Sequence, residues 1–193
     1  MMNQQEIEQL KTALRDEWFG KYQVDAKAKG YVGQFFDRKL AGKKLSAKVE
    51  GNYGTYKVSI NAKANGFDSA CSCYIGGSGG CHHCDALAQT FLDDAESFAV
   101  IKQKRRQSLR TLADLEAYLN GTTLDALLKE MKEFGITQTA FAQSIGMNPR
   151  HLSSVRSCEL RNRYYNELGA TKLACLWVIE NCKPAAPRRS KAK

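Results

Sequence analysis

A chain of 193 residues accommodates one domain or two small ones, and its 43% hydrophobic share suffices for packed cores, yet no run of about 18 apolar residues is present to span a bilayer. The opening MMNQQEIEQL lacks the basic flank and apolar run of a secretory signal, so the expected location is the cytoplasm. Lys and Arg outnumber Asp and Glu by 29 to 20, a net charge of +9 that binds polyanions only where the cations cluster.

Ile7, Leu10, Leu14 and Trp18 recur at helical spacing and predict an amphipathic helix over residues 4–19, with Asn3 as N-cap and Glu6 completing a capping box. From Lys44 to Asn61 the period changes to two. Leu45, Ala47 and Val49 alternate with polar residues, Gly51 to Gly54 makes a turn, and Tyr56, Val58 and Ile60 alternate again, which predicts a β-hairpin. Residues 64–70 lead into a cysteine segment. Beyond it Leu87, Phe91, Ala95 and Phe98 predict a helix from Asp85 to about Gln107. Lys102, Lys104, Arg105, Arg106 and Arg110 lie at its end, where cations suit the helix macrodipole as well as they suit a phosphate backbone. A short helix follows at Leu112–Leu119, ended by Asn120-Gly121. The next, Thr123 to Phe134, carries Leu124, Leu127, Leu128 and Met131 on one face.

The cysteines carry the strongest chemical signal. Four of seven fall within residues 71–84, too close together to act as independent disulfide staples in a reducing compartment, and this points to metal. Cys71, Cys73, Cys81 and His83 read C-x-C-x7-C-x-H, and zinc takes four such soft or borderline ligands in a tetrahedron. The intervening YIGGSGG is rich in glycine and lets the second pair fold back on the first. Cys84 offers an alternative fourth ligand, C-x-C-x7-C-x2-C. Together with the preceding hairpin, Val49-x-Gly51 and Tyr56-x-Val58, and with Ala86-Leu87 opening a helix, the motif resembles a SWIM zinc finger over residues 31–95. That resemblance implies one structural zinc ion in a small β-β-α unit for binding DNA or protein, with Cys71, Cys73, Cys81 and His83 as ligands. Four protein ligands leave no open position for hydrolytic chemistry.

From Gln138 the sequence QTAFAQSIGMNPRHLSSVRS meets the demands of two helices crossing at a tight turn. Phe141 and Ile145 face the core, Ala142 is small at the crossing, and Gly146 takes the turn. Asn148 caps a second helix that has Pro149 in its first turn and is anchored by Leu152 and Val155, while Thr137 caps the first. This resembles the lambda-repressor-like (Xre-like) helix-turn-helix family over residues 123–182, with 123–134 as the preceding helix and 170–182 as the closing one. The resemblance implies that the second helix enters the major groove of double-stranded DNA and that the protein associates with the nucleoid. Asn148, Arg150, His151, Ser153, Ser154 and Arg156 would then face the groove and Gln138 would touch a phosphate. Arg161, Arg163, Tyr164 and Tyr165 are further phosphate candidates. Residues 123–182 hold seven basic and six acidic side chains, so phosphate affinity needs help from elsewhere. The tail KPAAPRRSKAK carries five basic residues and no acid, which suits either phosphate contact or solubility.

The expected fold class is α+β: an N-terminal β-hairpin/helix zinc-binding module over residues 1–120, an all-α helix-turn-helix domain over 121–182, and a disordered basic tail over 183–193. The expected function is that of a sequence-specific transcriptional regulator. An accessory factor of DNA recombination, replication or mobile-element maintenance, and a protein-interaction adaptor, are the alternatives. A second copy of the chain or a protein partner remains open. No carboxylate pair, nucleophile with its base, or phosphate-binding glycine loop stands out, so neither an enzyme nor a small-molecule substrate is expected.

Overall fold

The computed structural model describes residues 4–20, 24–76, 80–101, 106, 109–163 and 165–182. Among these the chain is mixed α+β, with one five-stranded sheet and eight α-helices. It divides into two compact units, Met1–Lys104 with Leu160–Arg163, and Arg105–Glu159 with Tyr164–Lys193. Asn3, the basic cluster at 102–105, Tyr164 and the tail at 183–193, all singled out above, lie outside the described residues. No helix among those described is long and apolar enough to cross a membrane.

In the first unit, α1 (Gln4–Ala13) runs on into a π-helical turn, Leu14–Trp18, and buries Leu10 and Leu14. A short α2 (Ala26–Lys29) is capped by the Asp25 carboxylate, which accepts from Lys27 N–H. The strands β1 (Phe36–Ala41), β2 (Lys44–Gly51), β3 (Gly54–Lys63) and β4 (Gly66–Cys71) form an antiparallel meander. The expected hairpin is its centre, with Gly51 opposite Gly54 and Leu45, Ala47, Val49, Val58 and Ile60 all buried on one face. The strands flanking it escaped the sequence reading because β1 buries only Leu40 and β4 only its last two residues, so neither shows an alternating apolar pattern.

The helix expected from Asp85 to about Gln107 is shorter: α3 spans His82–Asp93. Asp93 and Asp94 place two acids at its C-terminus, where the macrodipole disfavours them, and Asp94 (φ −146°, ψ 68°) leaves helical backbone. A single 3-10 turn at Ala95–Ser97 then brings Phe98 edge-on to Phe91, ring centres 5.1 Å apart. The chain continues as β5 (Ala99–Val100), parallel to β1, giving the strand order β4-β3-β2-β1-β5.

Between Phe36 and Lys39 the β1–β2 register shifts, and Asp37 takes a φ of 53°. Its carboxylate bridges Lys39 Nζ at 2.8 Å and Lys48 Nζ at 2.9 Å. These two ammonium groups, Lys39 first, hold the Asp37 carboxyl below its ordinary range. A depressed folded-state value means the contribution is present above the unfolded value and lost as pH falls through the folded one. An NMR titration of Asp37 is expected to show a midpoint below that of an unpaired aspartate, rising towards it in Lys39→Met.

The second unit packs α4 (Leu112–Gly121), α5 (Leu124–Glu133), α6 (Gln138–Ser144), α7 (Pro149–Leu160) and α8 (Leu168–Asn181). The unit begins at Arg105, ahead of the expected 120/121 boundary, so α4 belongs to it. Tyr118 of α4 is buried, and Arg106 reaches both its hydroxyl and, in a bidentate pair at 2.9 and 2.6 Å, the Glu130 carboxylate of α5. Leu124, Leu127, Leu128, Met131, Phe141, Ala142, Leu152, Val155, Cys175 and Ile179 form the core. Threonines cap three helices: Thr111 in a capping box with Asp114, Thr123 accepting from Ala126 N–H, and Thr137 from Ala140 N–H. Ile145 departs from its expected core position and is 37% exposed, because it ends α6 and Met147 packs inward in its place. The turn itself rests on Gly146 at φ +70°, a conformation that side chains with a Cβ rarely adopt.

Candidate metal centre and the exposed face of the seventh helix

The candidate metal centre is assembled where the edge strand β4 ends and α3 begins. Cys71 closes β4, and Ser72 prolongs the pairing, its N–H donating to Lys57 O and its hydroxyl accepting from Lys57 N–H. The chain then turns tightly: Cys73 N–H points to Cys71 Sγ at 3.5 Å and Gly76 N–H to Cys73 Sγ at 3.1 Å. Cys81 is the N-cap of α3, and His83 sits in its first turn. The ligand atoms of Cys71, Cys73, Cys81 and His83 all lie within 4.8 Å of one another, and all four side chains are buried.

These distances fit a bound ion. A tetrahedral ion with sulfur at about 2.3 Å and nitrogen at about 2.0 Å has S···N edges of about 3.5 Å and S···S edges of about 3.8 Å. His83 Nδ1 is 3.8 Å from both Cys71 Sγ and Cys81 Sγ. The other ring nitrogen, Nε2, is buried and has no hydrogen-bond partner among the described residues. Tyr31, Tyr56 and His82 enclose the ring at centre distances of 4.6, 5.1 and 4.1 Å. The thiols themselves are not independent. Cys71 and then Cys84 donate to Cys81, which pulls the Cys81 thiol far below its ordinary range and, with burial, pushes both donors up. A row of sulfurs that favours a thiolate while buried is suited to a cation.

Cys84, the alternative fourth ligand, is fully buried with its Sγ 3.7 Å from Cys81 Sγ, but it is outside the mutually close group of four. Sequence reasoning passed over three supporting features. Tyr31 carries no local signal at all. Trp18 Nε1 donates to Asp85 Oδ1 at 3.0 Å, anchoring the first turn of α3 from 67 residues away. Gly76 is required by close approach, since a Cβ there would lie 2.4 Å from Cys71 Cβ and 3.0 Å from Cys73 Sγ. Gly76→Ala is therefore expected to destabilise the first unit by about 1–3 kcal/mol and to weaken metal uptake, measured by denaturant unfolding and competition with a chromogenic chelator.

On the second unit, α7 presents its polar residues outward while Leu152 and Val155 hold it to the core. Asn148 caps the helix, its Oδ1 accepting from Arg150 N–H at 2.8 Å. Asn148, Arg150, Ser153, Ser154 and Gln138 are exposed, and His151 and Arg156 are half-buried. The last two are also engaged: His151 Nδ1 meets Tyr165 Oη at 3.3 Å, and Arg156 Nη1 lies 3.5 Å from Gln138 Oε1 and 3.7 Å from Asp125 Oδ1. The Ser153 and Ser154 hydroxyls bond back to the carbonyls of Pro149 and Arg150. Arg161 and Arg163 are exposed and group with the first unit. All seven cysteines are free; Cys175 is buried in the helical core, its thiol pushed up to about 12 by desolvation, and Cys158 and Cys182 are half-buried. No family model matches the chain, and no curated protein or solved structure matches it.

Proposed function

We propose that the chain is a DNA-binding protein, a transcriptional regulator that reads a short duplex sequence through α7 and carries a structural zinc module for DNA or partner contacts. On this reading the β-strands and α3 form a SWIM-type module followed by an all-α, lambda-repressor-like helix-turn-helix domain. The observation that carries it is the outward polar face of α7, N-capped by Asn148 and presenting Arg150 beside the glycine turn at Gly146. Arginine reads guanine by a bidentate bond and asparagine reads adenine in the same way. Zinc is the ion that a buried Cys3His set suits best, and a closed set of four protein ligands assigns it a structural task. A second copy of the chain would supply phosphate contacts that a nearly neutral 123–182 segment lacks. Leu173 and Trp177, exposed one turn apart on α8, are the surface such a pairing would use.

The test is selection of bound sequences from a random duplex library by the zinc-loaded protein near physiological salt. Enrichment of one short motif is expected, with affinity for that motif falling about ten- to a hundredfold in Arg150→Ala. Binding without enrichment would replace this reading with that of a non-specific accessory factor, and no binding with that of a protein adaptor.

A further inference from the structure

The fifth ligand-type side chain of the metal centre has no place in a four-coordinate site. Cys84 occupies the N3 position of α3, one turn along from Cys81 at the N-cap, and Cys84 N–H donates to Cys81 O at 2.8 Å. The two sulfurs are 3.7 Å apart and both buried. An ion held by Cys71, Cys73, Cys81 and His83 thus leaves an unused thiol directly against one of its ligands. Two cysteines separated by two residues at a helix N-terminus are also an arrangement in which a disulfide closes without moving the backbone far.

We propose that Cys81 and Cys84 are a redox pair: a hydroperoxide converts them to a disulfide, and the loss of Cys81 as a ligand releases the ion. This rests on the metal reading of the site. Cys81, the less buried of the two and next to exposed Gly80, is the sulfur a peroxide reaches first. Its sulfur attacks the peroxide O–O bond and becomes a sulfenic acid while hydroxide leaves. Cys84 sulfur then attacks the sulfenic sulfur, the S–S bond forms, and the departing hydroxyl takes the Cys84 proton to leave as water. The peroxide gains two electrons and each sulfur gives up one. Cys71, Cys73 and His83 remain, and three ligands in place of four hold the ion far more weakly.

The experiment treats the full chain with about one equivalent of hydrogen peroxide, follows released zinc with a chromogenic chelator, and then alkylates and digests the denatured protein. Cleavage after Tyr74 separates Cys71 and Cys73 from Cys81 and Cys84, so each pair reports independently. The expected result is zinc release at least about tenfold faster than from Cys84→Ala, with the Cys81–Cys84 fragment about 2 Da lighter and unalkylated. Equal release from Cys84→Ala, or a disulfide that joins the two fragments, overturns the proposal. Zinc content before oxidation is measured separately. A chain that takes up no zinc defeats the metal reading, while the light Cys81–Cys84 fragment still decides whether the pair exists.

Discussion

On the proposed reading that Cys71, Cys73, Cys81 and His83 hold a structural ion, excess chelator is expected to unfold the first unit while the helices of the second persist. The end of the edge strand β4 and the start of α3 meet at these four side chains. With the ion gone, three thiols and the His83 Nδ1 remain buried without the partner they share. Binding of structural zinc is worth about 10–16 kcal/mol in small modules, as much as the whole stability of a typical domain. Far-ultraviolet circular dichroism should therefore show loss of the sheet, and the thermal melt should lose its first transition. Cys73→Ser should do the same without chelator. Acid should imitate both, because thiolates and the imidazole must lose protons to bind metal and regain them as pH falls. A melt unchanged by chelator would refute a structural metal.

How much of this was legible beforehand depends on whether the signal was local. The clustering of Cys71, Cys73, Cys81 and His83 was, because two short-spaced pairs around a glycine loop constrain one another, and the four side chains come together as that spacing implies. The hairpin was too, since its apolar residues alternate in a single run. The outer strands were not: β1 is bulged at Asp37 and pairs with β5, two residues long and some 60 positions away, so its stability comes from neighbours rather than from its own pattern. The end of α3 failed for a different reason. Phe98 falls on the apolar face of a helix continued from Phe91, yet it reaches the same core after a 3-10 turn, and periodicity cannot distinguish the two routes. The start of α6 was better marked because its cap, Thr137, writes it into the sequence.

Replacing Lys172 with alanine is expected to destabilise the second unit by about 3–5 kcal/mol. Lys172 is 5% exposed. Its Nζ meets Glu159 Oε1 at 2.5 Å and donates to Leu119 O at 2.7 Å, while Glu159 Oε2 accepts Leu124 N–H at 2.7 Å. One buried ion pair thus satisfies a carbonyl near the end of α4 and an amide at the start of α5, and fastens α7 to α8. Lys172→Ala leaves the Glu159 charge buried without its counterion, and that uncompensated charge is what makes the substitution costly. Lys172→Met combined with Glu159→Gln removes both charges but keeps volume and an acceptor for Leu124 N–H. It should recover more than half the loss, and a cycle closed with the Lys172→Met and Glu159→Gln single variants should give a coupling energy of about 2 kcal/mol by denaturant unfolding. A Lys172→Ala loss below about 1 kcal/mol would mean that the pair is not formed in solution. Because Glu159 lies in the last turn of α7, the same substitution should also loosen the helix proposed to read DNA. Its cost in sequence-specific affinity should then exceed its cost in non-specific affinity, which depends on phosphate contacts alone.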